Sequence, residues 1–188
     1  MDTSQVYLHL YTALCNGNPD TIVKWLNQLE DEEMATGIQS LLLTDRCIQQ
    51  VSESILRQHT LAYALQYFCD HIATALGNDA IAFSTPGYTH PVEHSPLAQS
   101  AKYDEIKSRL YTAFIHFCTC AQLQEPAWLK ATLSAGKKGL SVSLEADVPL
   151  ICELDHATRL LLCLGMNHMQ RAGGELETKN GVVLSIEY

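Results

Sequence analysis

Two long amphipathic segments constrain the fold of this 188-residue chain more than any other feature. Their apolar residues recur every three or four positions, which places them on one face of a helix. We therefore expect a continuous helix over about 46–76 and a second over about 97–122, folded into an antiparallel hairpin that can dimerise into a four-helix bundle. The apolar residues are Ile48, Val51, Ile55, Ala62, Leu65, Cys69, Ile72 and Leu76, then Tyr103, Ile106, Leu110, Ala113, Phe117 and Cys120.

The segments before and between these helices have different patterns. Residues 1–45 are expected to form a short helical hairpin and a connector, with a turn at 16–19 in which Asn18 caps the second arm and Pro19 takes its first helical position. The connection over 78–96 carries three prolines and a glycine. Loops of this length are usually functional or mobile.

The last third of the chain predicts a small α/β domain over 126–188. A break at 124–126 is followed by a short predicted helix over 127–134, a strand around 140–145 with alternating apolar and polar residues, and a second strand over 149–153. Asp155 is expected to cap a helix running to about Arg171, and a hairpin then turns at Asn180-Gly181. The fold class is α+β, with domains over 1–45, 46–122 and 126–188.

The composition indicates which kinds of partner the protein can bind and in which cellular compartment it is expected. The net charge is -9, with 12 Lys and Arg against 21 Asp and Glu, and such an acidic chain without a basic run repels nucleic acid. No leader pattern and no membrane-spanning apolar run of about 18 residues is visible. The seven cysteines form an odd set without CxxC pairs, which favours a reducing compartment and a cytoplasmic location.

The eight histidines are the main chemical resource of the sequence. His71 lies beside the apolar face of the first long helix, where its ring should reach solvent, and a neighbouring acid such as Asp70 can orient it. An exposed histidine can accept a phosphoryl group. The simpler interpretation is a solvated histidine near a helix C-terminus. His59 flanks the same face and is the alternative acceptor.

The other polar candidates have mostly structural interpretations. His9 and His116 are expected to be packing or surface residues. His90, Glu93 and His94 have metal-binding side chains in the proline-rich loop, although a third strong partner is not evident nearby. Cys118 and Cys120 point in different directions on a helix and are predicted to be core residues.

Two polar pairs lie on the predicted C-terminal helix. Asn167 and Arg171 lie one turn apart, where they could touch a ligand or cap that helix end. Asp155 and Arg159 form an ordinary surface pair. Phosphate-loop, dinucleotide, nucleophile-elbow and zinc-protease motifs are missing from the sequence, and no cofactor or metal motif is present.

A family resemblance is carried by the order of elements and by two stretches near the C-terminus, 157–162 (ATRLLL) and 171–176 (RAGGEL). A long helix bearing a histidine, a return helix with Arg109-Leu110 and Ala113-Phe114, and then a small α/β domain resemble the dimeric bacterial histidine phosphotransferases. Those proteins are similar to a sensor kinase that has lost ATP binding. In the family an acid directly follows the histidine and a proline comes a few residues later, whereas here Asp70 precedes His71.

The resemblance implies a homodimeric phosphorelay protein in which His71 passes phosphate between the aspartates of response-regulator receiver domains. It implies neither ATPase nor autokinase activity, since the kinase's glycine-rich box is missing and only Asn167 remains of its asparagine pattern. The alternative is a non-catalytic adaptor of the same architecture that binds signalling partners through its helical face and the 78–96 loop. A third hypothesis is an enzyme with a metal site at His90, Glu93 and His94.

Overall fold

The chain folds as an α+β protein, with helices on one side of a mixed sheet. The computed structural model describes residues 3–75, 81–85, 103–135, 139–149, 155–177 and 181–187, which contain six helices and five strands. The helices are α1 (Thr3–Asn16), α2 (Pro19–Leu26), α3 (Glu32–Gln58), α4 (Leu61–Ala75), α5 (Tyr103–Gln122) and α6 (His156–Arg171). The strands are β1 (Ala82–Ser84), β2 (Leu129–Ala135), β3 (Gly139–Ala146), β4 (Glu175–Glu177) and β5 (Val182–Glu187).

The predicted N-terminal hairpin and its turn are confirmed. Asn18 Oδ1 accepts a hydrogen bond from the backbone N–H of Thr21 at 3.2 Å, and Pro19 occupies the first helical position of α2. Gly17 supplies the left-handed backbone of the turn, with φ of +63°. Because all three features lie within a few residues of each other, the local sequence is sufficient to specify this turn.

The prediction of one continuous helix over 46–76 is wrong. The first segment is already helical from Glu32, where Asp31 caps α3, and it breaks at His59 and Thr60 before α4 begins. His59 is extended, with φ −133° and ψ 156°, and the Thr60 hydroxyl accepts from the N–H of Tyr63. Thr60 thus caps a new helix, since a Thr side chain satisfies an N–H that has no partner in the first turn.

The sheet has the order β1-β2-β3-β5-β4, with β1 parallel to β2 and the other neighbours antiparallel. The helix predicted over 127–134 is wrong, because these residues form β2 along β3. Leu129, Ala131 and Leu133 are two residues apart and all buried, as a strand with one covered face requires. The connection over 78–96 contributes β1, and its residues 86–96 lie outside the described part of the chain.

The C-terminal elements are largely as predicted. Asp155 caps α6 by accepting from the N–H of Thr158 at 2.7 Å, and β4 pairs with β5 as a hairpin. The alternation around 140–145 is strand β3, whose apolar residues Leu140, Val142 and Leu144 are buried. Most of the strand expected over 149–153 lies outside the described residues, and Pro149 itself belongs to no strand.

Two clusters of buried apolar side chains hold the elements together. The larger joins α4, α5 and the covered face of the sheet, and α5 lies at its centre with Leu110, Phe114 and Phe117 almost fully buried. The smaller joins α1, α2 and α3 to Leu160, Cys163 and Leu164 of α6. Helix α6 contributes to both clusters, because its Met169 packs in the larger one. Among the described residues, no helix has the length and apolar character needed to cross a bilayer.

Candidate functional site

The predicted acceptor His71 lies near the end of α4 with an exposed side chain. Its Nδ1 is 3.0 Å from the carbonyl oxygen of Tyr67, one turn earlier, and its ring stacks on the Tyr67 ring with centroids 4.1 Å apart. A carbonyl oxygen only accepts, so Nδ1 carries the proton in this contact. In the neutral ring the lone pair is then on Nε2, the nitrogen that can act as a nucleophile.

The other two predicted site residues, Asp70 and His59, contact side chains other than His71. Asp70 Oδ1 accepts from Gln66 Nε2 at 2.7 Å, while the backbone and ring of Tyr67 hold the His71 imidazole. His59 lies at the break between α3 and α4, and its exposed ring stacks on Tyr63 at 4.5 Å. The orienting contact seen for His71 thus comes from Tyr67.

Four aromatic rings form a continuous ladder, which starts with His59 at the break before α4 and continues along the exposed side of α4 with Tyr63, Tyr67 and His71. Tyr63 and Tyr67 are 6.3 Å apart and remain 52% and 49% exposed. The spacing of four residues brings successive side chains onto one helical face. Both candidate histidines therefore terminate a single exposed aromatic surface, which we call the α4 ladder.

A second cluster of polar groups is buried where three helices meet. Oδ1 of Asp45 in α3 lies 2.7 Å from Nε2 of His116 in α5 and 2.8 Å from Nε2 of His168 in α6. The two histidine side chains are 1% and 3% exposed, and that of Asp45 is 16% exposed. Burial raises the pKa of Asp45, but the hydrogen bonds from both rings outweigh this effect and hold the pKa well below its usual value.

From the sequence, His116 is expected to be a packing or surface residue, and the structure agrees with the first of these but adds a hydrogen bond. His116 is buried as a packing residue would be, yet it also bonds an acid 71 positions earlier in the chain. Asp45 and His168 were not identified from the sequence, since they are 123 positions apart and belong to no short motif. One sequence signal could have indicated the cluster. An acid or a histidine on the apolar face of an amphipathic helix is buried there and needs a polar partner.

A cavity of about 510 Å³ opens beside the cluster, between α2, α3 and α6. Asp45 lines it together with Arg46, Gln49 and the apolar side chains of Leu42 and Leu164. Asp45 is therefore both a member of the cluster and part of the cavity wall.

Asn167 and Arg171 also line this cavity and have a structural task. Asn167 Nδ2 donates to the carbonyl of Cys15 at 2.8 Å, and Arg171 donates to that of Gly17 at 3.0 Å. The Cys15 carbonyl lies in the last turn of α1, where it has no later helical N–H to accept from, and Gly17 directly follows the helix. The two side chains, considered from sequence as a ligand contact or a cap of their own helix, cap α1 instead.

The remaining candidates are an exposed histidine, two buried cysteines and three loop residues outside the described part of the chain. His9 stacks on Trp25 with centroids 4.4 Å apart. Cys118 and Cys120 are buried, as expected, and burial raises the pKa of Cys120 to about 12, so its thiol stays protonated at neutral pH. The loop residues His90, Glu93 and His94 lie outside the described part of the chain.

Comparison with known proteins finds no matching family model and no curated protein similar in sequence. The function of the protein is therefore inferred from the arrangement of His71 and the α4 ladder.

Proposed function

We propose that the protein is a histidine phosphotransfer protein that carries phosphate on Nε2 of His71. The supporting observation is the exposed His71 ring, whose Nδ1 is bound to the Tyr67 carbonyl. This contact selects the tautomer with a free lone pair on Nε2 and limits rotation of the ring. A pre-oriented nucleophile at the surface is what a receiver domain needs to reach in line.

The chemistry is a reversible transfer between an acyl phosphate and an imidazole. Nε2 of His71 attacks the phosphorus of a receiver's aspartyl phosphate, the N–P bond forms, and the P–O bond to the aspartate breaks to release its carboxylate. The receiver supplies the metal ion that balances the charge of the phosphoryl oxygens. The reverse step delivers the phosphate to the aspartate of a second receiver.

The α4 ladder provides a docking surface around the reacting atom. Tyr63 and Tyr67 offer large, half-exposed rings that lose little conformational entropy on binding, which makes tyrosine a frequent contact residue at interfaces. His71 lies at one end of this surface, so a receiver that covers the tyrosines would also reach the imidazole.

The wider proposal follows the family resemblance. A homodimer formed through the helices, a C-terminal α/β domain that helps to grip the receiver, and a cytoplasmic location where receivers operate all belong to it. Exposed apolar residues on α3, Leu43 and Val51, support a helical contact between two copies. Light scattering on the purified protein measures the oligomeric state directly.

Phosphate transfer from charged receiver domains tests the proposal. Wild-type protein and two single variants, His71→Ala and His59→Ala, are incubated with a panel of receivers carrying labelled phosphate. We expect label on the wild type and on His59→Ala, stable in alkali and lost in acid as an N–P bond requires, and none on His71→Ala.

His59→Ala is a matched control because both histidines are exposed and end the same ladder. Label that persists in His71→Ala would assign the acceptor elsewhere. A wild type that takes no label from any receiver would rule out the phosphotransfer function.

A non-catalytic adaptor is the second candidate, and the half-exposed tyrosines of the α4 ladder favour it. An adaptor would use the ladder only for contact. In that case Tyr63→Ala would weaken binding to a receiver or other signalling protein, while His71→Ala would leave binding and signalling unchanged. Measuring binding and transfer in the same pair of variants separates the two functions.

A further inference from the structure

The cluster of Asp45, His116 and His168 presents three ligand atoms to one small volume. The carboxylate oxygen and the two Nε2 atoms all lie within 4.8 Å of one another. They come from α3, α5 and α6, three helices whose packing fixes their approach. Such convergence of two imidazoles and a carboxylate is the donor set of many transition-metal sites.

We propose that Asp45, His116 and His168 bind a divalent transition-metal ion, with Zn²⁺ the best match. This inference is independent of phosphate transfer at His71. Imidazole nitrogen favours zinc, cobalt, nickel or iron over magnesium and calcium, which prefer sites made of oxygen atoms. With neutral imidazoles the cluster carries one negative charge, which a dication more than compensates.

The two nitrogen–oxygen distances fit such an ion after a small expansion, and the two Nε2 atoms lie within 4.8 Å of each other. Ligands at about 2.0–2.1 Å from a tetrahedral metal are separated from each other by roughly 3.3 Å. The two N–O distances of 2.7 and 2.8 Å are those of hydrogen bonds, so the ligand atoms must move apart by about half an ångström. Asp45 lies at the cavity wall and is the least buried of the three, and its side chain has room for that movement.

Metal binding also has a simple proton balance. In the hydrogen-bonded cluster each ring carries its proton on Nε2 to donate to Asp45, whereas a metal-bound Nε2 must offer its lone pair. The proton then moves to Nδ1 of the same ring, and no net proton is released. On His168, Nδ1 is buried without a hydrogen-bond partner in the described structure, so its lone pair can take up that proton, at the cost of a buried N–H that has no acceptor in the described structure.

The three side chains leave one position of a tetrahedral ion unfilled, and because Asp45 also lines the cavity, a fourth ligand would approach from that side. Three protein ligands with an accessible fourth site are typical of zinc centres that bind water or a small anion, whereas structural zinc sites use four protein ligands. Arg46 and Arg171 line the same cavity, so their positive charges lie on the side from which a fourth ligand would approach. An anionic ligand is therefore the class we expect at the open position.

Metal titration of the full chain tests the site. Calorimetry and elemental analysis after gel filtration should find one Zn²⁺ bound per chain, with no binding of Mg²⁺. His168→Ala and Asp45→Asn should weaken Zn²⁺ affinity by at least about 100-fold, because each removes a direct ligand, a larger change than loss of an outer hydrogen-bond partner can cause. Circular dichroism establishes that each variant is folded.

Two controls exclude adventitious binding to other histidines and thiols. His9→Ala alters an exposed histidine outside the cluster, and Cys47→Ser removes the exposed thiol two positions after Asp45; both should keep wild-type affinity. Loss of binding in either control, or its retention in His168→Ala and Asp45→Asn, would overturn the proposal, as would a wild type that leaves gel filtration without zinc.

A measurement on the unmodified protein keeps the test decisive if a cluster variant fails to fold. Co²⁺ in place of Zn²⁺ should give the visible d–d absorption of a four- or five-coordinate site without a thiolate charge-transfer band, since all protein ligands are nitrogen or oxygen. A thiolate band, or only the spectrum of hydrated Co²⁺, would show that the cluster does not hold the metal.

Discussion

At the scale of single residues, Gly17 illustrates how closely the N-terminal turn and α6 approach each other. Its carbonyl accepts from Arg171, and a Cβ at this position would overlap Asn167 Nδ2 and lie 2.8 Å from an Arg171 guanidinium nitrogen. Its φ of +63° is also a conformation that other residues adopt at a cost. Only glycine satisfies both requirements here.

Gly17→Ala should therefore lower the free energy of unfolding by about 1–3 kcal/mol, from backbone strain and from displaced hydrogen bonds. Gly37→Ala is the matched control, because Gly37 lies exposed within α3 with no atom near the added methyl group. It should raise stability by roughly 0.5–1 kcal/mol. Urea denaturation compares the two, and equal effects would contradict this account of the turn.

Residue-scale features were predictable where the interaction is local. The cap at Asn18 and the cap at Asp155 follow from the residues directly beside them. By contrast, the bond between Asp45 and His168 depends on α3 and α6 both packing against α5, and no spacing in the sequence encodes it. Phosphate transfer at His71 stays a prediction.

At the scale of elements, the break between α3 and α4 separates two helices that have a continuous apolar pattern. Removing the Thr60 cap in Thr60→Ala should cost about 1 kcal/mol of stability, because the N–H of Tyr63 loses its acceptor. Thr60→Ser keeps a hydroxyl and should stay within a few tenths of a kcal/mol of wild type. Thermal unfolding of both variants measures the difference, and an equally stable Thr60→Ala would show that packing alone sets the break.

The two misassigned elements have the same physical origin. Apolar spacing identifies a buried face, but it does not reveal a cap that interrupts a helix or a strand partner elsewhere in the chain. Over 127–134, Leu129 and Leu133 are four residues apart, which suits a helix, and with Ala131 they also suit a strand. Pairing with β3 decides in favour of the strand, and this pairing is a tertiary interaction.

At the scale of the whole molecule, α5 is the element on which the main core depends. Phe114 is 1% exposed and packs edge-to-face on Phe68 with ring centroids 5.7 Å apart. Phe114→Ala should cost about 3–5 kcal/mol, because it leaves a cavity between helices and sheet. Leu8→Ala, at a position 64% exposed, should change stability by less than about 0.5 kcal/mol. Guanidinium denaturation measures the free energy of unfolding of both variants. A small loss of stability in Phe114→Ala would mean that the core rearranges to fill the cavity.

The α+β class and most elements could be predicted from sequence, because apolar periodicity reports which face of each segment is buried. The order of strands in the sheet could not. β1 comes from the proline-rich connection and reaches β2 in parallel, a pairing that spans 48 positions of the chain. Long-range pairings of this kind are selected by the assembled core.

The smaller apolar cluster has a practical consequence for the first 26 residues. Helices α1 and α2 cover Leu160, Cys163 and Leu164 on the outer side of α6, and two α6 side chains bond to the end of α1. Deleting these residues would expose the apolar surface of α6 next to the Asp45 cluster, and the exposed surface would promote self-association. Helices α1 and α2 thus shield α6 from solvent. A shortened protein made to study the C-terminal region needs to retain both helices.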